Sequence, residues 1–153
     1  MPDAITKTVE VTCSAEHAFN VFVNRIAAWW PMATHAVSAS DGKSALDVTI
    51  EPHVGGAIFE TTHDGKRAEW GTVLVYEPGA SFAMTWHPGT NKDKQTRVDV
   101  DFESNSDGGA RVTLTHSGWE IWGDEATDKV AGYTAGWAAI LSEGYKNSCD
   151  APD

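Results

Sequence analysis

The chain reads as an α+β fold: a seven-stranded antiparallel sheet wrapped around a long C-terminal helix, with two short helices after the first strand. Three observations predict it. From Ala45 to Ser117 the apolar residues recur with period two, interrupted at short intervals by turn-forming residues. One parity of that alternation is apolar and the other is wet, as in an antiparallel sheet covered on one side. Behind the last strand, Val130, Tyr133, Trp137, Ile140 and Leu141 fall on one face of a helix.

The elements follow in order. Ile5, Lys7, Val9 and Val11 alternate with Thr6, Thr8, Glu10 and Thr12, a strand rich in β-branched residues. Ser14 suits an N-cap, and Phe19, Phe22, Val23 and Ile26 keep the helical spacing, predicting a helix over 15–26. A second short turn carries Ala27 to Trp30 and ends before Pro31, which disfavours helix at the residue preceding it. Residues 31–43 are small, polar and aperiodic. They predict a loop placed where a pocket mouth or lid can form. Six strands are predicted next, over 45–51, 57–62, 67–76, 81–86, 96–103 and 111–117. Gly55-Gly56, Asp64-Gly65, Pro78-Gly79 and Gly108-Gly109 lie in the turns between them. Such short connections require antiparallel neighbours. By parity Phe82, Met84, Trp86, Val98, Val100, Phe102, Val112 and Leu114 face inward. The helix over 124–145 is the long amphipathic element left to cover them. It carries Gly132 and Gly136, each costing a helix interior about 1 kcal/mol relative to alanine. Bare positions facing a sheet either permit close approach or leave a void.

At 153 residues the chain is expected to form one domain with a core over about 3–145. The formal net charge of −11 argues against nucleic acid or anionic membrane as partner, since both need clustered Lys and Arg. No apolar run approaches the ~18 residues of a membrane span, so no membrane insertion is expected. The polar opening Met1-Pro2-Asp3-Ala4 predicts a cytoplasmic protein with Cys13 and Cys149 as thiols, although their pairing cannot be read from sequence. The histidines lack metal-site spacing, and there is no Gly-rich phosphate loop or nucleophile elbow, so no metal or cofactor is expected.

Six stretches occur in a telling order: Ala18-Phe19-x-Val21-Phe22, Trp29-Trp30-Pro31, Glu51-Pro52-x-Val54-Gly55-Gly56, Glu69-Trp70-Gly71-x-Val73, Thr113-Leu114-x-His116-x-Gly118-Trp119 and Gly132-Tyr133-x-x-Gly136-Trp137. Together they resemble the START-like superfamily, in particular its bacterial branch related to the activator of Hsp90 ATPase homologue. The resemblance implies a helix-grip fold with a cavity between sheet and helix for a hydrophobic small molecule. It implies no single reaction. An Hsp90 partner is not carried over, since many bacterial members are single domains.

The residues expected to line such a cavity are Trp30, Phe59, Trp70, Met84, Trp86, Val100, Trp119, Tyr133, Gly136 and Trp137, the aromatics offering large contact area with a polar handle. A hydrophobic or aromatic ligand there is the leading reading, with no catalysis required. The alternative is an enzyme of cyclase or hydrolase type. In it Glu60, inward by its parity with Ile58 and paired with Arg67 or His116, or His116 itself, acts as acid or base. A third reading is a protein-interaction module, co-chaperone-like or a homodimer, which requires an exposed apolar patch.

Overall fold

The computed structural model of the chain describes residues 3–150. β1 (Ile5–Val11) leads into α1 (Ala15–Asn24), where the Ser14 hydroxyl accepts from the His17 backbone N–H and caps the helix. The helix predicted over 15–26 breaks at Arg25, whose backbone leaves the helical region (φ −124°, ψ 26°), and α2 (Ile26–Trp29) restarts it. The aperiodic stretch 31–43 holds a 3₁₀ turn, Val37–Asp41, closed by Gly42 in the left-handed conformation.

The remaining strands are β2 (Asp47–Ile50), β3 (Ala57–Thr61), β4 (Arg67–Glu77), β5 (Ser81–Trp86), β6 (Thr96–Ser104) and β7 (Ala110–Ser117). β2 is shorter than the 45–51 read from alternation because the Ala45 N–H donates to Met32 O, in the loop, rather than to a strand. The seven strands form one antiparallel sheet in the order β1-β7-β6-β5-β4-β3-β2. Bulges at Ile58/Phe59 and Val73/Val75 bend its β3–β4–β5 side. Gly71 sits in that bend; a Cβ there would lie 1.8 Å from Thr85 O, so only glycine fits.

A 3₁₀ segment (Trp119–Glu125) enters α3 (Ala126–Ala139), which continues through a π turn (Ile140–Tyr145) into α4 (Lys146–Asp150). The helical run therefore passes the expected end at 145. Beyond Tyr145 one further residue of the stripe, Cys149, is buried in the core, and polar bonds to β1 and the residue after it hold the rest of the tail. Thr12 donates its N–H and its hydroxyl to Asp150 Oδ1 (2.8 and 3.0 Å), and Lys146 Nζ donates to Glu10 O at 2.9 Å.

The inner sheet face has the residues parity assigned to it, but the C-terminal helix is not its sole cover. α1 lays Phe19 and Phe22 on Phe82 and Phe102, with ring centroids 5.2–6.5 Å apart, so half of the face is packed by the first helix. At the α1 end the C-terminal helix joins the same packing: Tyr145 meets Phe22 and Trp29 edge to face, and its hydroxyl donates to Ala18 O at 2.7 Å. The α3 end, over β5 and the loop, leaves space. Among the described residues no helix is long and apolar enough to cross a membrane.

Candidate functional site

An open cavity of about 550 Å³ lies between α3, the 31–42 loop and the end of β5. The walls follow from helical spacing. Asp128, Lys129, Gly132, Tyr133, Gly136, Trp137 and Ile140 recur every three or four residues along one side of α3 and into the π turn. Opposite them stand Trp30 at the end of α2, the loop residues His35 to Val37 with Ser40, and Trp86 with the Pro88-Gly89 turn after β5. At Gly132 a Cβ would meet nothing within 4 Å, and at Gly136 it would meet only the His35 ring, at 3.6 Å from Nε2. The two glycines therefore bound the void.

The wall is aromatic and its own polar atoms are largely engaged. Trp30, Trp86 and Trp137 contact one another with centroids 5.4–5.8 Å apart. The Trp30 indole N–H donates to His35 O (2.8 Å), that of Trp86 to the Tyr133 hydroxyl (3.2 Å), and that of Trp137 to His116 Nδ1 (3.0 Å). Burial pushes the Tyr133 phenol pKa up, which keeps its proton on.

The two acid–base candidates are both fully buried, and each is enclosed by the protein. Glu60 reaches inward from β3. Its Oε1 accepts from the Val37 N–H (2.6 Å) and the Trp70 indole (3.2 Å), and its Oε2 accepts from the Ser38 N–H (2.9 Å) and hydroxyl (2.8 Å). This carboxylate pins the 31–42 loop to the sheet. It does not pair with Arg67, which bonds Glu69 and lies over the Phe59 ring, or with His116. His116 sits one layer behind the cavity wall. An indole can only donate, so the Trp137 bond requires an unprotonated Nδ1; Nε2–H then donates to Thr96 Oγ1 at 2.6 Å. Burial pushes its pKa down to about 3, and the ring is held neutral. Neither group lines the cavity.

Of the ten residues expected at a cavity, Trp30, Trp86, Tyr133, Gly136 and Trp137 are brought together there. The other five go elsewhere. Phe59 lies on the opposite sheet face from Ile58 and Glu60, half-buried beneath the Arg67 guanidinium. Trp70 is fully buried behind Trp30 and Trp86, bonded to Glu60. Met84 and Val100 are in the closed core. Trp119 packs with Ile5 and Ala126 in a small separate cluster, its indole N–H on His116 O. The sequence places His35 and Val37 in the 31–43 loop at a pocket mouth, but neither they nor Asp128 and Lys129 were among the residues expected to line the cavity. The last two were legible in principle, one helical turn before Gly132. Among the described residues there is no group of three or more His, Cys, Asp or Glu able to hold a metal ion.

A family model described as "Activator of Hsp90 ATPase homolog 1-like protein" matches residues 12–144. No curated protein matches the chain. Among solved structures, the Aha1 dimer from Colwellia psychrerythraea is similar at a TM-score of 0.70 and 18% identity, covering 96% of both chains. An anthrahydroquino-γ-pyrone synthase, Txn09, is similar at a TM-score of 0.66 and 32% identity, covering 97% of this chain and 99% of the other. DynU16, a protein of the dynemicin biosynthetic locus, matches at a TM-score of 0.69 and 15% identity over 96% of this chain and 47% of the other.

Proposed function

This chain belongs to the Activator of Hsp90 ATPase homolog 1-like family, and from that premise we propose that it binds a planar, largely apolar aromatic molecule in the cavity beside α3. The observation that carries the proposal is the void itself. Its ~550 Å³ falls in the range of roughly 300–1,000 Å³ usual for small-molecule sites, and three tryptophans and a tyrosine form its walls. Flat aromatic walls favour flat aromatic ligands by offset stacking and large contact area. The 32%-identical relative is an anthrahydroquino-γ-pyrone synthase, and that name supports the same class of molecule.

Titration with an anthraquinone, oleate and a sterol, followed by tryptophan fluorescence, tests the reading. Saturable quenching by the anthraquinone at one equivalent is expected, because Trp30, Trp86 and Trp137 line the site. Absence of saturable quenching by any of the three would refute it.

A second reading, a catalyst in aromatic polyketide assembly, is favoured by the identity to the synthase over nearly the full length of both chains. Under it the reacting groups come from the cavity wall. Glu60 and His116 serve by holding the loop and the tryptophan wall in place.

A further inference from the structure

We propose that His35 is the recognition residue of this cavity, its Nε2 accepting a hydrogen bond from a phenolic or enolic hydroxyl on the aromatic ligand. The inference rests on the ligand-binding reading above and adds the substituent that the site selects.

On the wall, Lys129 Nζ lies over the Trp122 ring and the Tyr133 hydroxyl accepts from Trp86, its own hydrogen having no acceptor among the described residues. The three indole N–H groups of the wall are already bonded inside the protein, to His35 O, Tyr133 Oη and His116 Nδ1. Ser40 donates its hydroxyl hydrogen to Val37 O. His35 Nδ1 bonds the Thr34 hydroxyl at 2.8 Å, while Nε2 has no hydrogen-bond partner among the described residues and lies on the cavity beside Gly136. Thr34 Oγ1 can accept as well as donate, so it accommodates either tautomer; the assigned role uses the one with hydrogen on Nδ1 and a lone pair on Nε2.

The backbone under His35 is held in place. Its N–H donates to Pro31 O at 2.9 Å and its carbonyl accepts from Trp30. Two residues further on, the Glu60 carboxylate holds the amides of Val37 and Ser38. The bare helix at Gly136 then leaves the ring edge uncovered. The wall also carries the Ser40 and Tyr133 hydroxyl oxygens and, at the start of α3, the Asp128 carboxylate, which like the His35 ring is solvent-exposed.

The test compares the affinity of a monohydroxylated anthraquinone with that of its O-methyl ether, which cannot donate. Wild type is expected to prefer the hydroxylated probe by about tenfold, the scale of one well-placed hydrogen bond. His35→Leu is expected to bind both probes within about twofold of each other, and His35→Gln, which keeps an acceptor, to recover part of the preference. Gly136→Ala, whose methyl group would cover Nε2, should lower the preference while still binding the ether. Equal binding of the two probes by wild type overturns the assignment, as does a preference that survives His35→Leu but is lost in Asp128→Asn. Binding of neither probe defeats the ligand reading and this inference with it, whereas binding of both without discrimination defeats only the role of His35.

Discussion

Four hydrogen bonds converge on the Glu60 carboxylate, and three of the donors lie on a loop more than twenty residues away in sequence. Removing the acceptor leaves buried N–H groups unpaired, which costs more than the bond itself contributed. Glu60→Ala is therefore expected to lose about 3 kcal/mol in urea unfolding and to make the 31–42 loop sensitive to protease. His116 makes a prediction in pH. Its folded pKa of about 3 lies below the ordinary histidine value of about 6.5, so between those limits the unfolded chain binds a proton that the folded one does not. The stabilisation is fully present above about pH 6.5 and falls on acidification by at most about 1.4 kcal/mol per pH unit. His116→Gln should flatten the stability profile between pH 5 and 6.5 by up to about 2 kcal/mol relative to wild type. An unchanged slope would show that the ring is not held neutral. At this scale the sequence was partly legible. Parity pointed Glu60 and His116 inward, but nothing local announces a carboxylate whose partners are amides of a distant loop, or a histidine fixed by an indole.

At the scale of elements, alternation located every strand, and each strand except β2 lies within a residue of its expected ends. The misses have physical causes. β2 loses its first residues to a bond with the loop, and the C-terminal helix runs past 145 because Cys149 is buried in the core and polar side chains fasten its end. The glycines of that helix divide by surroundings, which spacing does not encode. Gly132 faces open space, so Gly132→Leu is expected to keep or raise stability, through helix propensity of up to about 1 kcal/mol, while blocking the cavity and abolishing anthraquinone quenching. Gly144 is the opposite case. A Cβ there would lie 2.5 Å from Trp29 O, and Gly144→Ala should cost about 2 kcal/mol or more in thermal unfolding without altering the cavity wall. If both substitutions behaved alike, the distinction between packed and open helix face would be wrong.

For the whole molecule, the helix-grip architecture explains why the space occurs where it does. α1 and the end of the C-terminal helix fill one half of the inner face with Phe19, Phe22 and Tyr145. Over the other half, α3 has two bare turns and the cover is completed by the Glu60-anchored loop. The sequence carried the arrangement, since the ordered motifs resembled the family that the chain belongs to. It did not distinguish tryptophans that wall the cavity from those that pack behind it, because parity gives only the sheet face on which a side chain lies and not which residues cover it.

Those tryptophans supply the most direct measurement. In a ¹H–¹⁵N NMR titration with a hydroxylated anthraquinone, the indole N–H signals of Trp30, Trp86 and Trp137 are expected to shift together. Those of Trp29 and Trp119, bonded to Val21 O and His116 O away from the cavity, should stay in place. Movement confined to the more exposed Trp122, or no movement at all, would contradict a ligand site beside α3.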